Sequence, residues 1–104
     1  MKTAITAIVQ GIEQKHLNDP TVSEDKDRIV TMILSDLPQA INAINSLDQN
    51  TLEWISSRFE EISYKAQSRE LIFCLQGLLT KFPHSAILKE DVLEGVEAYY
   101  GETE

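Results

Sequence analysis

The sequence predicts an all-α protein, a compact bundle of five or six short helices, on three observations. Apolar residues recur every third or fourth position along nearly the whole chain. No stretch alternates apolar and polar residues for long enough to make a strand. Four glycines and three prolines in 104 residues are few for an all-β chain, which would need many turns. A chain of this length, with no internal repeat and no linker, is expected to form a single helical domain over residues 1–104.

The elements follow in order. Ile5, Ile8, Val9 and Ile12 mark one helix face, which His16 continues, and the segment ends before Asp19-Pro20. Thr21-Val22-Ser23-Glu24 has the form of a capping box and opens a helix that buries Ile29, Val30, Ile33 and Leu34. Asp36-Leu37-Pro38-Gln39 starts a third, with proline in the first turn, where its missing N–H costs nothing. Its apolar residues are Ile41, Ile44 and Leu47. Asn50-Thr51-Leu52-Glu53 is another capping signal, for a helix burying Leu52, Ile55, Phe59 and Ile62. Ser68 caps the next, which carries Leu71, Ile72, Leu75, Leu78, Leu79 and Phe82 and stops at Pro83. The last begins near Lys89, buries Val92, Leu93, Val96 and Tyr99, and ends at Gly101. Ile8, Ile12, Ile33, Ile41, Ile55, Phe59, Ile62, Leu75, Leu78 and Val96 are the expected core.

Composition narrows the function. Nine basic against seventeen acidic residues give a net charge of −8, and residues 89–104 alone hold −5. A field of that sign repels phosphate, so direct nucleic-acid binding is not expected, whereas a basic protein would be attracted. The apolar runs are too short to span a bilayer, and the first residues lack the apolar core of a secretory signal. A cytoplasmic protein with no membrane contact is the expectation, as a monomer or weak homo-oligomer. The single Cys74 excludes an internal disulfide and a multi-cysteine zinc site. Cys74 and His84 are the only plausible nucleophile and base, but Cys74 sits at the edge of an apolar helix face and reads as core. His16 has no second histidine three or four residues away, and no phosphate-binding loop or calcium loop is present. No catalytic residue, metal ligand or cofactor is expected, and the protein is read as a non-enzyme.

Two surface features stand out. At roughly 100° per residue from Val92, Glu90, Glu94 and Glu97 fall near 160°, 200° and 140°, a stripe opposite the core with Asp91 on its flank. Trp54 lies off the apolar face of its helix, in a row with Arg58, Glu61 and Lys65, so that Arg58 could cover the indole and Glu61 pair with Lys65. Cover by a neighbouring helix or service as an interface anchor are both open to such a tryptophan. These eight residues, Glu90, Asp91, Glu94, Glu97, Trp54, Arg58, Glu61 and Lys65, are the candidate partner-binding residues.

From Trp54 to Pro83, centred on Glu60-Glu61-Ile62-Ser63-Tyr64-Lys65 and the Gln67-Ser68 break, the chain resembles small helical immunity proteins of bacterial polymorphic toxin systems, notably those of contact-dependent growth inhibition. The resemblance implies a cytoplasmic protein that binds one cognate toxin, often a nuclease with a basic substrate groove. It would neutralise that toxin by stoichiometric occlusion of the active site or groove. A helical scaffold or adaptor, joining proteins without inhibiting an enzyme, is the alternative.

Overall fold

Polar side chains fix where most of the helices begin. The computed structural model describes residues 1–16 and 18–101; Glu102 and Glu104, counted above in the acidic C-terminal segment, lie outside them. Helix α1 runs over Lys2–Glu13, α2 over Thr21–Ser35 and α3 over Leu37–Ser46. Helix α4 covers Gln49–Ile55, a 3-10 turn covers Ser56–Arg58, and α5 covers Phe59–Ala66. Helices α6 and α7 span Arg69–Lys81 and Ala86–Tyr100. With α4, the turn and α5 counted as one segment, the described residues form the expected all-α bundle, in six helical segments.

The caps correct the sequence reading in three places. Thr21 is the first residue of α2 and does not cap it; Asp19 Oδ1 instead accepts from the Thr21 amide at 2.8 Å and from its hydroxyl at 2.6 Å. Helix α4 begins before Asn50, because Asp48 accepts from the Thr51 amide at 2.8 Å. Helix α7 begins three residues before Lys89, capped by Ser85, which accepts from the Leu88 amide at 3.2 Å. Asp36 and Ser68 cap α3 and α6 as expected, through the Gln39 and Leu71 amides. His16 does not extend the face of α1, since that helix ends at Glu13 and His16 is exposed beyond it.

One hydrophobic core joins all seven α-helices, centred on Ile5, Ile33, Leu52, Phe59, Leu71, Leu75, Leu88 and Val92. Of the expected core, Ile12, Ile33, Ile55, Phe59, Ile62, Leu75 and Leu78 are buried, while Ile8, Ile41 and Val96 pack against the core from its margin. Leu93 does not belong to it and is 47% exposed. The cause is the seam between α5 and α7, the most extensive helix pair. These helices run in the same direction, with Asp91 against Ser56 and Gly95 against Phe59 and Ser63. Leu88, Val92 and Gly95 are the buried residues of α7, so its inward face is turned by roughly 50° from the one that apolar periodicity indicates. That rotation carries Leu93 into solvent.

Gly95 is required by the close approach. A Cβ there would stand 2.9 Å from Ser63 Oγ and 3.3 Å from the Phe59 carbonyl oxygen. Gly95→Ala should therefore cost about 1–3 kcal/mol of stability through overpacking, against the gain of about 1 kcal/mol alanine offers an open helix. Ser63 Oγ is buried without a hydrogen-bond partner among the described residues. Adding Ser63→Ala should restore part of the loss, because the closer of the two clashes is removed. Thermal melts of the single and double variants check this; an alanine at 95 that stabilises the protein would contradict the geometry.

Candidate partner-binding surface

The solvent side of α7 follows from how its inner side is used. Glu90, Glu94 and Glu97 are all exposed, as the sequence placed them. Asp91 departs from that stripe. It is half-buried, and its Oδ2 accepts a 2.5 Å hydrogen bond from the buried Ser56 hydroxyl. Asp91 therefore ties α7 to the 3-10 turn, while its charge still acts on the neighbouring glutamates.

Glu60, which sequence reasoning passed over, joins the cluster from α5. Glu60, Glu94 and Glu97 line a shallow groove of about 630 Å³ together with Val96, Ala98, Tyr100 and Gly101. The signal was the parallel pairing of α5 with α7, which rests on Gly95 and leaves no mark in an apolar pattern. Among the described residues, Glu60, Glu90, Glu94 and Glu97 make no ion pair; the pairs present lie elsewhere, on α2, α5 and the segments beside them. Partial loss of hydration, and then repulsion from Asp91, Glu60, Glu90 and Glu97, hold the Glu94 carboxyl above its ordinary range.

The sign of that shift gives a stability prediction. The folded protein holds the Glu94 proton more tightly than the unfolded chain, so ionisation of this group at neutral pH opposes folding. Glu94→Gln should raise stability at neutral pH, and the difference from wild type should shrink as pH falls through the carboxylate range. Denaturation midpoints at several pH values measure it; a variant less stable than wild type at neutral pH would show that Glu94 makes favourable contacts instead.

Apolar surface frames the charge. Of the large exposed apolar side chains among the described residues, Ile87 at 52%, Leu93 at 47% and Tyr100 at 57% lie on α7, Tyr64 on adjoining α5 and Phe73 on α6. The Tyr100 ring packs edge-on against Tyr99, with centroids 4.9 Å apart. Helix α7 thus presents carboxylates flanked by large apolar groups.

The second row from the sequence is only partly assembled. Glu61 pairs with Lys65 at 2.8 Å, as expected, and its other oxygen lies 3.5 Å from Arg58. Arg58 does not cover the indole. It turns to Asp27 at 2.5 Å and to the Ser23 hydroxyl at 3.0 Å, because the 3-10 turn breaks the helical spacing between residues 54 and 58. The cation over the Trp54 ring is Lys26, from α2. Trp54 is half-buried against the core, and its Nε1 donates to Glu13 at 3.0 Å. It is covered in part and pinned, and it stands apart from the Arg58, Glu61, Lys65 cluster.

Cys74 is buried beside α3, with Sγ 3.4 Å from Asn45 Oδ1, and burial pushes its thiol up to about 11. At neutral pH it stays protonated and is a poor nucleophile. Among the described residues, no three histidine, cysteine or acidic side chains are grouped to hold a metal ion, and no helix is long and apolar enough to cross a membrane. Compared with protein-family models, curated proteins and solved structures, the chain matches none of them.

Proposed function

We propose that this protein is an immunity protein, an inhibitory binding partner that neutralises a cognate bacterial toxin in the cytoplasm by occluding its active site or substrate groove. The observation that supports this reading best is the outer side of α7. There Glu90, Glu94 and Glu97, with Glu60 beside them, make no ion pair among the described residues, yet large apolar groups flank them. Clustered like charges oppose folding, so an isolated protein gains nothing from this arrangement beyond solubility. A basic partner turns the same field into steering and specificity, and Leu93 and Tyr100 supply contact area that lengthens the life of the complex. A nuclease fits that description, since a groove that holds phosphate must be positively charged. In this reading the carboxylates stand where nucleic-acid phosphates would lie.

The test is expression of the neighbouring open reading frame with and without this chain. The expected result is loss of viability when the neighbour is expressed alone, rescue by this chain, and a one-to-one complex in which the toxin's activity is blocked. A stable complex whose enzyme stays active would instead establish a scaffold or adaptor. Failure of both binding and rescue would end the immunity reading for that pair.

A further inference from the structure

Lys26 is a cation that the surface on α7 leaves without a role. Its Nζ donates to Ser57 Oγ at 3.1 Å and lies 5.9 Å from the centroid of the Trp54 ring. Lys15, Arg28, Arg58 and Lys65 each face a carboxylate; Lys26, like the exposed Lys2, Arg69, Lys81 and Lys89, makes no ion pair among the described residues, but of these five it is the one partly withdrawn from water. Burial first, and then the Arg58 guanidinium, hold its ammonium below the usual lysine range, with Asp91 opposing them. An ammonium that has lost water and gained no close counter-ion is under-compensated, and an anion placed beside it gains accordingly.

That ammonium stands at the wall of a pocket. The pocket, about 410 Å³, lies where α2, α4 and α7 meet and is lined by Lys26, Asn50, Glu53, Trp54 and Ile87. It is as open to solvent as the shallow groove on α7, with room for one small ligand laid against its walls. Its walls are held before any ligand arrives. Trp54 Nε1 and Asn50 Nδ2 both donate to Glu13 Oε2, at 3.0 and 2.7 Å. Glu53 Oε2 accepts from the Ser85 hydroxyl at 2.5 Å and from Gln49 Nε2 at 3.0 Å, which fixes α4 against the start of α7. Trp54 and the half-exposed Ile87 supply the apolar surface.

We propose that this pocket binds a small organic monocarboxylate, its charged end on Lys26 Nζ and its apolar body across Trp54 and Ile87. The neighbouring acids set the selectivity. Glu53 in the wall and Glu13 behind the indole repel a second negative charge, so a dicarboxylate of the same length is rejected. A neutral amide of the same shape keeps the apolar contact and loses the ion pair.

Trp54 is the only tryptophan, so its emission reports directly on this pocket. The full chain is titrated with hexanoate, hexanamide and adipate, none of which absorbs where tryptophan is excited. Hexanoate is expected to give a saturable change, with hexanamide and adipate at least tenfold weaker. Lys26→Gln should weaken hexanoate at least tenfold, and Lys26→Arg should retain it. If Lys26→Gln melts well below wild type, the Trp54 indole N–H resonance of the wild-type protein, followed by NMR with the same three probes, gives the same ranking. Absence of a saturable hexanoate response overturns the proposal. So does an equal response to the amide, or an unaltered response in folded Lys26→Gln, since either would reduce the site to an apolar hollow.

Discussion

Phe59→Ala is expected to cost about 3–5 kcal/mol, much of the 5–15 kcal/mol by which a typical domain is stable. Phe59 is fully buried at the first turn of α5, on the seam where α5 meets α7. Its Cβ lies 3.5 Å from where a Cβ on Gly95 would stand, so Phe59 sits at the closest approach of the two helices. Truncation removes both the transfer of the ring from water and the contacts of every side chain around it. The site has little room to collapse, because Gly95 already brings the helix backbones as close as they can come. At roughly 4–8 °C per kcal/mol for a domain of this size, the melting midpoint should fall by about 12–40 °C. Chemical and thermal denaturation both measure it, and a melt like that of wild type would remove Phe59 from the core.

How much of this was legible in the sequence depended on the length of the signal. Apolar periodicity extends over several turns, so the helices and most of the core could be read from it. Single-residue signals were less secure. Asp48 and Asn50 both offer capping side chains at the start of α4, and the choice between them depends on which amide each can reach. Ser85 followed Pro83-His84 and read as connection, although its hydroxyl both caps α7 and anchors Glu53. The rotation of α7 was not readable at all. It is set by Gly95, which contributes nothing to an apolar pattern and acts only through the helix it admits. The glutamate stripe survived that rotation because it lay nearly opposite the core and had angular margin. Asp91 and Leu93, nearer the boundary, exchanged roles: the carboxylate turned inward to Ser56 and the leucine outward to solvent. The Trp54 row came apart only between Trp54 and Arg58, since a 3-10 turn of three residues is too short to announce itself.

Reversing two charges on α7 is the change expected to alter partner binding most. In Glu90→Lys with Glu94→Lys, the outer face gives up two carboxylates and gains two ammonium groups, and Glu60 and Glu97 acquire cationic neighbours. Electrostatic steering accelerates association by about 10–10³-fold where it operates, so the association rate constant for the proposed toxin partner should fall at least tenfold at low salt. Its dependence on ionic strength should flatten, because the attraction that salt screens is gone. Stability should hold or rise, since the exchange relieves repulsion on an exposed face and disturbs no buried contact. Those two responses separate a binding surface from a structural one: a fold defect lowers the melt, whereas a lost steering field slows association in a protein that melts normally. Leu93→Ala and Tyr100→Ala supply the complement, because apolar anchors act after encounter and should raise the dissociation rate while leaving the salt slope alone. Association rates and salt slopes identical to wild type would remove this face from the proposed interface. The next surface to test would be the Arg58, Glu61, Lys65 cluster, where Arg58 and Lys65 both hold Glu61 and the local field is nearly neutral.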